Sequence, residues 1–451
     1  MTDRAWEAGA GHETRGAWRD AAGGGGLARP GMDHESVGRR AFLGRVALCG
    51  AAWLAGARGS AQTGAPATAP HVGAAVGDAD LAGRLTLLLQ EYDRQGVHRT
   101  GSRGDTASAQ SLTTGMQRWR LSGTLERFPF ERVDVASAYV QFRARRIDGV
   151  PLFDGTFTEA VGVTGGIGLP GDDTAFVLLD SDDPAFPTLR RGDRYVGVVL
   201  VTRGPREGLV LRDVDGAAPG TGAAVLQVSS EERDWLREQA GTRPDVKLVV
   251  EATRTPAEGY TMVARLRGRD PQALPLLVSA PRGTWFRGTG ERGSSIACLA
   301  EILRAMSAMR PARDCVFVSA GGAELGMLGL HHLLAKQQVL PRAHAWICLG
   351  PHLGVPRTTA RVRGTTEPLE RMVAEAVAGE APVASVAGAD AILPSEPAAL
   401  VAAGAPVVAL WAEGNPLART AADRLPDAVN AAHLAAQTRL AITLATRLAG
   451  A

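Results

Sequence analysis

The chain has 451 residues, with 49 Lys and Arg against 47 Asp and Glu, and 45% of it is apolar. That length implies one large core plus an appended or inserted module. A formal net charge of +2 excludes the strong electrostatic pull of nucleic-acid and anionic-membrane binders, and no helix-sized apolar run follows residue 61, so neither a nucleic-acid partner nor a membrane span is expected there.

Residues 1–30 are rich in Gly, Ala and charge without periodicity, and read as disordered or as sequence upstream of a start at Met32. Next come Ser36-Val37-Gly38-Arg39-Arg40-Ala41-Phe42-Leu43-Gly44, an apolar run Val46–Ala55 and the small-residue site Gly59-Ser60-Ala61. Together they resemble a twin-arginine secretion signal. The competing reading is a membrane anchor, for which the apolar run is short. The resemblance implies a mature chain that starts near Gln62 and is exported folded, to the periplasm or beyond. Cys49 lies in this segment, whereas Cys298, Cys315 and Cys348 fall in a predicted helix and two predicted buried strands. There they read as small hydrophobes, not as a disulfide framework.

Helical spacing predicts helices over Ala79–Gln95 and Ala107–Trp119, joined through His98-Arg99-Thr100-Gly101-Ser102. Period-two alternation then predicts strands at Thr124–Phe130 and Ala138–Phe142. Beyond Gly149 the pattern shifts to short strands, Ala175–Leu179, Tyr195–Val201 and Ala223–Val228, separated by Gly- and Pro-containing turns. Val246–Val250 and Thr261–Arg267 resume the earlier pattern. The organising stretch follows: strand Leu276–Ala280, loop Pro281–Gly293, helix Ser294–Met309 closed by Pro311, strand Cys315–Ala320 and loop Gly321–Gly326. A strand at His344–Gly350 and helices at Glu367–Ala378 and Asn430–Leu448 complete the series. This alternation predicts an α/β fold, a mixed and largely parallel sheet flanked by helices, with chemistry in the loops at the strand ends.

Within that order, the loop Gly288-Thr289-Gly290-Glu291-Arg292-Gly293-Ser294-Ser295 and the segment Gly322-Ala323-Glu324-Leu325-Gly326-Met327-Leu328-Gly329 carry a resemblance. They resemble the two-zinc aminopeptidases of metallopeptidase family twenty-eight, whose relatives include the non-peptidases transferrin receptor and nicastrin. The His98–Ser102 turn, the strand ending at Gly350 and the closing run from Pro406 to Ala435 are also similar to that family. The resemblance extends from about Leu81 to the C-terminus. It implies a three-layer zinc-exopeptidase-like sheet with a small β-rich insert similar to a protease-associated domain; the competing reading is an irregular elaboration of the main domain. The expected plan is a signal-bearing region 1–61, a first part of the main domain at 62–136, the insert at 137–240 and the main part at 241–451.

The family's site implies particular residues. Pro281 and Gly283 stand where the family has His-x-Asp, Glu291 at the bridging acid, and Ala323 and Glu324 at a Glu-Glu pair whose first member is the general base. Gly350 stands at an Asp ligand and Arg419 at the last His, and Glu396-Pro397 replaces a usual Asp-His. A two-zinc hydrolase needs about five protein ligands and a base to activate water. Carboxylates remain only at Glu291 and Glu324. The expectation is therefore a secreted, zinc-free and catalytically inactive relative that binds a peptide or protein; the alternative is a divergent hydrolase of peptide-like amides, with zinc under that reading only. His352, two residues past Gly350, is the one rescue ligand in reach, and His98 is expected to be structural. Ser294 and Ser295 read as helix caps, since no Gly-x-Ser-x-Gly elbow is present. Arg419 is expected to fill the vacated zinc position and bridge Glu291 and Glu324. The competing arrangement satisfies each glutamate with backbone N–H groups or with Arg282 or Arg292.

Overall fold

Two long antiparallel strands, β1 (Gly123–Gln141) and β8 (Asp245–Leu266), pair from Gly123↔Ala264 to Gln141↔Lys247 and carry the architecture. This is a computed structural model that describes residues 78–117, 121, 123–214, 220–337, 342–379 and 383–450. The twin-arginine-like segment, Cys49 and the expected mature start lie outside the described residues. Each long strand was expected as two short ones. Between those ends the ribbon is mostly exposed or half-buried, with Val133 its one buried apolar side chain, so period-two alternation is weak there and the ladder continues where the sequence pattern fades. Pro129 and Pro256 fit there because that part of the ribbon has free edges.

One end of the ribbon joins the main sheet. Its order is β13 (Ser385–Val386), β12 (Thr359–Gly364), β14 (Val407–Glu413), β11 (Ala345–Leu349), β9 (Leu276–Ser279), β10 (Cys315–Ala320), then β8. The central four run parallel, and β12 and β8 flank them antiparallel. Both faces are covered, which is why these strands read as continuous apolar runs. Alternate residues sort cleanly. Leu276, Val278, Phe317, Ile347 and Leu410 pack with α1 (Asp78–Arg94), α5 (Ser294–Ser307) and α9 (Ala431–Ala449). Leu277, Val318, Trp346 and Val407 face the opposite way, with α6 (Leu328–Lys336) and α8 (Ser395–Ala402). The mixed α/β sheet flanked by helices is thus as the sequence pattern predicts.

At its other end the ribbon passes to β4 (Val163–Gly168), which continues into parallel strands β5 (Phe176–Asp180), β6 (Gly197–Val201) and β7 (Ala224–Val228). This layer lies in sequence between the two ribbon strands. It is less purely β than expected: α3 (Phe186–Arg191) and α4 (Arg233–Gly241) pack on its opposite faces, through Phe186 and Leu236. Parallel strands require crossovers, and short helices supply them. Cys298, Cys315 and Cys348 are buried and unpaired. No described helix is long and apolar enough to cross a membrane.

Candidate functional site

The carboxyl ends of β9, β10, β11 and β14 bring together the loops that hold the expected site residues. After β9 the chain passes Pro281, Arg282 and Gly283, then turns at Gly288, φ 62, into a π-helical turn Thr289–Gly293 that presents Glu291 and Arg292. Asp423 holds this turn in place. Its two carboxylate oxygens accept the N–H groups of Gly290 (2.8 Å) and Glu291 (2.9 Å). Burial pushes Asp423 up to about 7, and the nearby Glu291 adds to the shift.

Glu291 is buried, and its Oε2 accepts the Thr284 hydroxyl at 2.9 Å while Oε1 lies 3.4 Å from the Arg292 guanidinium. Burial alone would raise its carboxyl. Arg292 above all, then His352, Arg419 and the Thr284 hydroxyl, outweigh that and hold it below its ordinary value. Arg292 is itself buried and donates from Nε to the Gly283 carbonyl at 3.3 Å. Glu396, in the first turn of α8, is another of its electrostatic neighbours. Both Glu396 oxygens lack a hydrogen-bond partner among the described residues, and burial pushes this carboxyl to about 7.

Glu324 lies in a different environment. It is fully buried, its Oε1 accepts the Thr100 N–H at 2.6 Å, and its Oε2 has no partner among the described residues. Among the described residues it has no ion-pair partner; burial pushes its carboxyl up to about 7, and it is largely protonated below that pH. Arg282 is engaged elsewhere, in a buried ion pair with Asp105 and in donation to the Asp105 carbonyl at 2.6 Å. Gly283, at φ 103, makes room for Glu324: a Cβ there would sit 2.2 Å from Glu324 Oε2. The position at which the family resemblance puts an Asp ligand is thus filled by the carboxyl of another residue.

The expected bridge by Arg419 does not form. Among the described residues Arg419 makes no ion pair with Glu291 or Glu324. It is half-buried at φ 58, and the cation paired with Glu291 is Arg292. The arrangement is the competing one, a backbone N–H for Glu324 and Arg292 for Glu291. His352, at φ 71, accepts from the Asn415 amide through Nδ1 at 3.0 Å, which leaves its proton on Nε2. Burial lowers it to about 4, so it is neutral at pH 7. Ser294 and Ser295 are not caps; their hydroxyls donate to the carbonyls of Gly290 and Gly350. His98 is structural: it stacks on Tyr92 at 3.7 Å and bonds the Arg287 carbonyl at 2.9 Å.

Residues that sequence reasoning missed complete the site. Thr100 belongs to the His98–Ser102 turn, and its hydroxyl also accepts the Gly322 N–H at 3.0 Å. Asp213 comes from the layer between the ribbon strands and accepts the Trp285 indole N–H at 2.9 Å. No local signal marked it, because only the fold brings residue 213 to the loop after β9.

No protein-family model matches the chain, and no curated protein matches it. Solved structures do. The chain superimposes on an aminopeptidase from Aneurinibacillus sp. strain AM-1 with a TM-score of 0.63 at 15% identity, covering 82% of this chain and 94% of that one. For a zinc aminopeptidase from Bacillus subtilis the values are 0.65 at 17%, over 81% and 94%. For a peptidase M28 precursor from Shewanella amazonensis they are 0.64 at 16%, over 83% and 97%. The fold is an aminopeptidase fold. On this aminopeptidase-like scaffold, the residues present do not fit zinc. Among the described residues no three His, Cys, Asp or Glu side chains converge as a metal site requires. Pro281, Gly283, Ala323 and Gly350 offer no side-chain donor, and two guanidinium groups stand near the remaining bridging-type acid, Glu291.

Proposed function

We propose that this protein is an exported, zinc-free pseudo-aminopeptidase that binds a peptide or protein ligand at the carboxyl ends of its central strands. The observation that carries this reading is the Glu324 carboxyl, which fills the space a side chain at position 283 would need. A carboxyl used that way, without a cation, is an internal packing group. The methyl group of Ala323, at the position of the general base, adds to the argument, since it cannot take a proton from water. Export rests on the twin-arginine resemblance of Ser36–Gly44, and the layer between the ribbon strands is proposed to be an insert of protease-associated type.

The test is elemental analysis of the dialysed protein, with aminoacyl-anilide hydrolysis measured before and after addition of zinc. The expected result is less than stoichiometric zinc and no hydrolysis above the buffer rate. One or two zinc ions per chain with hydrolysis would overturn the reading in favour of a divergent hydrolase.

A further inference from the structure

The segment 209–214, Leu-Val-Leu-Arg-Asp-Val, lies against the site as a bound peptide would. It has no regular secondary structure, and its ties run to three different site loops. The Leu211 N–H donates to the Arg419 carbonyl at 3.2 Å, and the Val214 N–H to the Glu324 carbonyl at 2.9 Å. Asp213 accepts the indole N–H of Trp285, from the loop after β9, at 2.9 Å. Leu211 is fully buried in an apolar pocket of Val133, Phe153, Trp285 and Phe286, in which Phe153 meets Trp285 edge-on at 4.7 Å. The residue between them turns the other way: Arg212 donates to the Ser181 carbonyl at 2.5 Å, and its N–H to Gln227. Opposite directions for successive side chains are the habit of an extended chain.

We propose that these loops form a binding site for an extended peptide carrying an apolar residue two positions before an acidic one, occupied in this structure by the chain's own Leu211 and Asp213. The proposal rests on the peptide-binding reading above and names the class of peptide. Charge argues for the acidic residue. Asp213 sits within electrostatic reach of Arg419 and Arg292, with Glu291 as the opposing acid. Arg292 is already paired with Glu291 and has Glu396 as a further acidic neighbour, whereas Arg419 makes no ion pair among the described residues. Arg419 is therefore the cation that a peptide carboxylate in the place of Asp213 would meet, and the Trp285 N–H supplies a fixed donor to orient that carboxylate. The apolar pocket takes the residue two positions earlier, and the carbonyls of Arg419 and Glu324 take its backbone N–H groups.

The experiment uses the full chain and a labelled peptide, Gly-Leu-Val-Leu-Arg-Asp-Val, blocked at both ends, with the same peptide carrying Asn for Asp as its partner probe. Binding is read by fluorescence anisotropy. Asp213→Asn and, separately, Leu211→Ser release the internal segment from its two anchors. Each released variant should bind the acidic peptide about tenfold more tightly than the unaltered chain does. It should also prefer that peptide over the Asn peptide by a similar factor, as expected for one charge-assisted contact in a desolvated site. Adding Arg419→Ala should abolish the preference. Equal binding of the two peptides would overturn the acidic recognition and leave general peptide binding standing. No binding of either peptide by either variant, with thermal unfolding midpoints unchanged, would overturn both.

Discussion

Glu291 and Glu324 are the same residue type, buried to nearly the same degree in the loops that follow neighbouring strands, yet their carboxyls are shifted in opposite directions. Glu291 sits beside Arg292 and within reach of Arg419, and its carboxyl is kept below its ordinary value. Glu324 has a backbone N–H and no cation, and its carboxyl is pushed up to about 7. The difference shows two ways in which a protein can hold a buried acid: place a guanidinium beside it, or raise its pKa so that it takes up a proton more readily.

Breaking the first half of this comparison should have the largest effect. Arg292→Met removes the cation paired with buried Glu291 and should destabilise the fold by about 3–5 kcal/mol. Adding Glu291→Gln should return most of that loss. Chemical denaturation of the two variants measures both numbers. If Arg292→Met alone is neutral, Glu291 is not held by charge.

The second half is sharpened by pH. The Glu324 pKa rises from 4.5 to about 7 on folding, so between those values the native state binds more protons than the unfolded chain. The stability Glu324 contributes is therefore fully present below pH 4.5 and is lost as pH rises towards 7. Glu324→Gln should match the parent near pH 4.5, gain on it through that window, and level off above it. The gain should be on the order of 3 kcal/mol. Glu291 has the opposite sign: its contribution is present above the unfolded value and is lost as pH falls through its depressed pKa. Parallel stability curves for Glu324→Gln and its parent would refute the assignment.

The smallest effect is expected at Arg419, which the sequence had suggested as the bridge between the two glutamates. Because Arg419 is half-buried and unpaired, Arg419→Ala should cost only about 0–1 kcal/mol in thermal or denaturant unfolding. A loss several times larger would reinstate the bridge between Glu291 and Glu324.

How much of this was legible before the fold was known differs from element to element. The stretch from Leu276 to Ala320 was readable almost to the residue, as was the helix Glu367–Ala378, because strands covered on both faces and amphipathic helices write their burial directly into the order of side chains. The ribbon strands were legible only at their ends, where a core imposes alternation. Within the site, the positions that lack donors could be read off the chain one by one, since Pro, Gly and Ala have no ligand to offer. The choice between Arg292 and Arg419 could not. It depends on a π-helical turn that directs Arg292 inward and on a left-handed backbone at Arg419, and neither leaves a periodic trace.

Sequence alone thus determined the α/β class, the order of the central strands' loops, and the absence of side-chain donors at Pro281, Gly283, Ala323 and Gly350, all of which follow from residue identity and local spacing. Tertiary structure decided the rest. It joined Thr100 to Glu324 across 224 positions and carried Asp213 to Trp285 across 72, and it shifted two buried glutamates in opposite directions. The physical reason is that the ionisation of a buried acid is fixed by its neighbours in space, and here those neighbours come from segments that are remote in the chain.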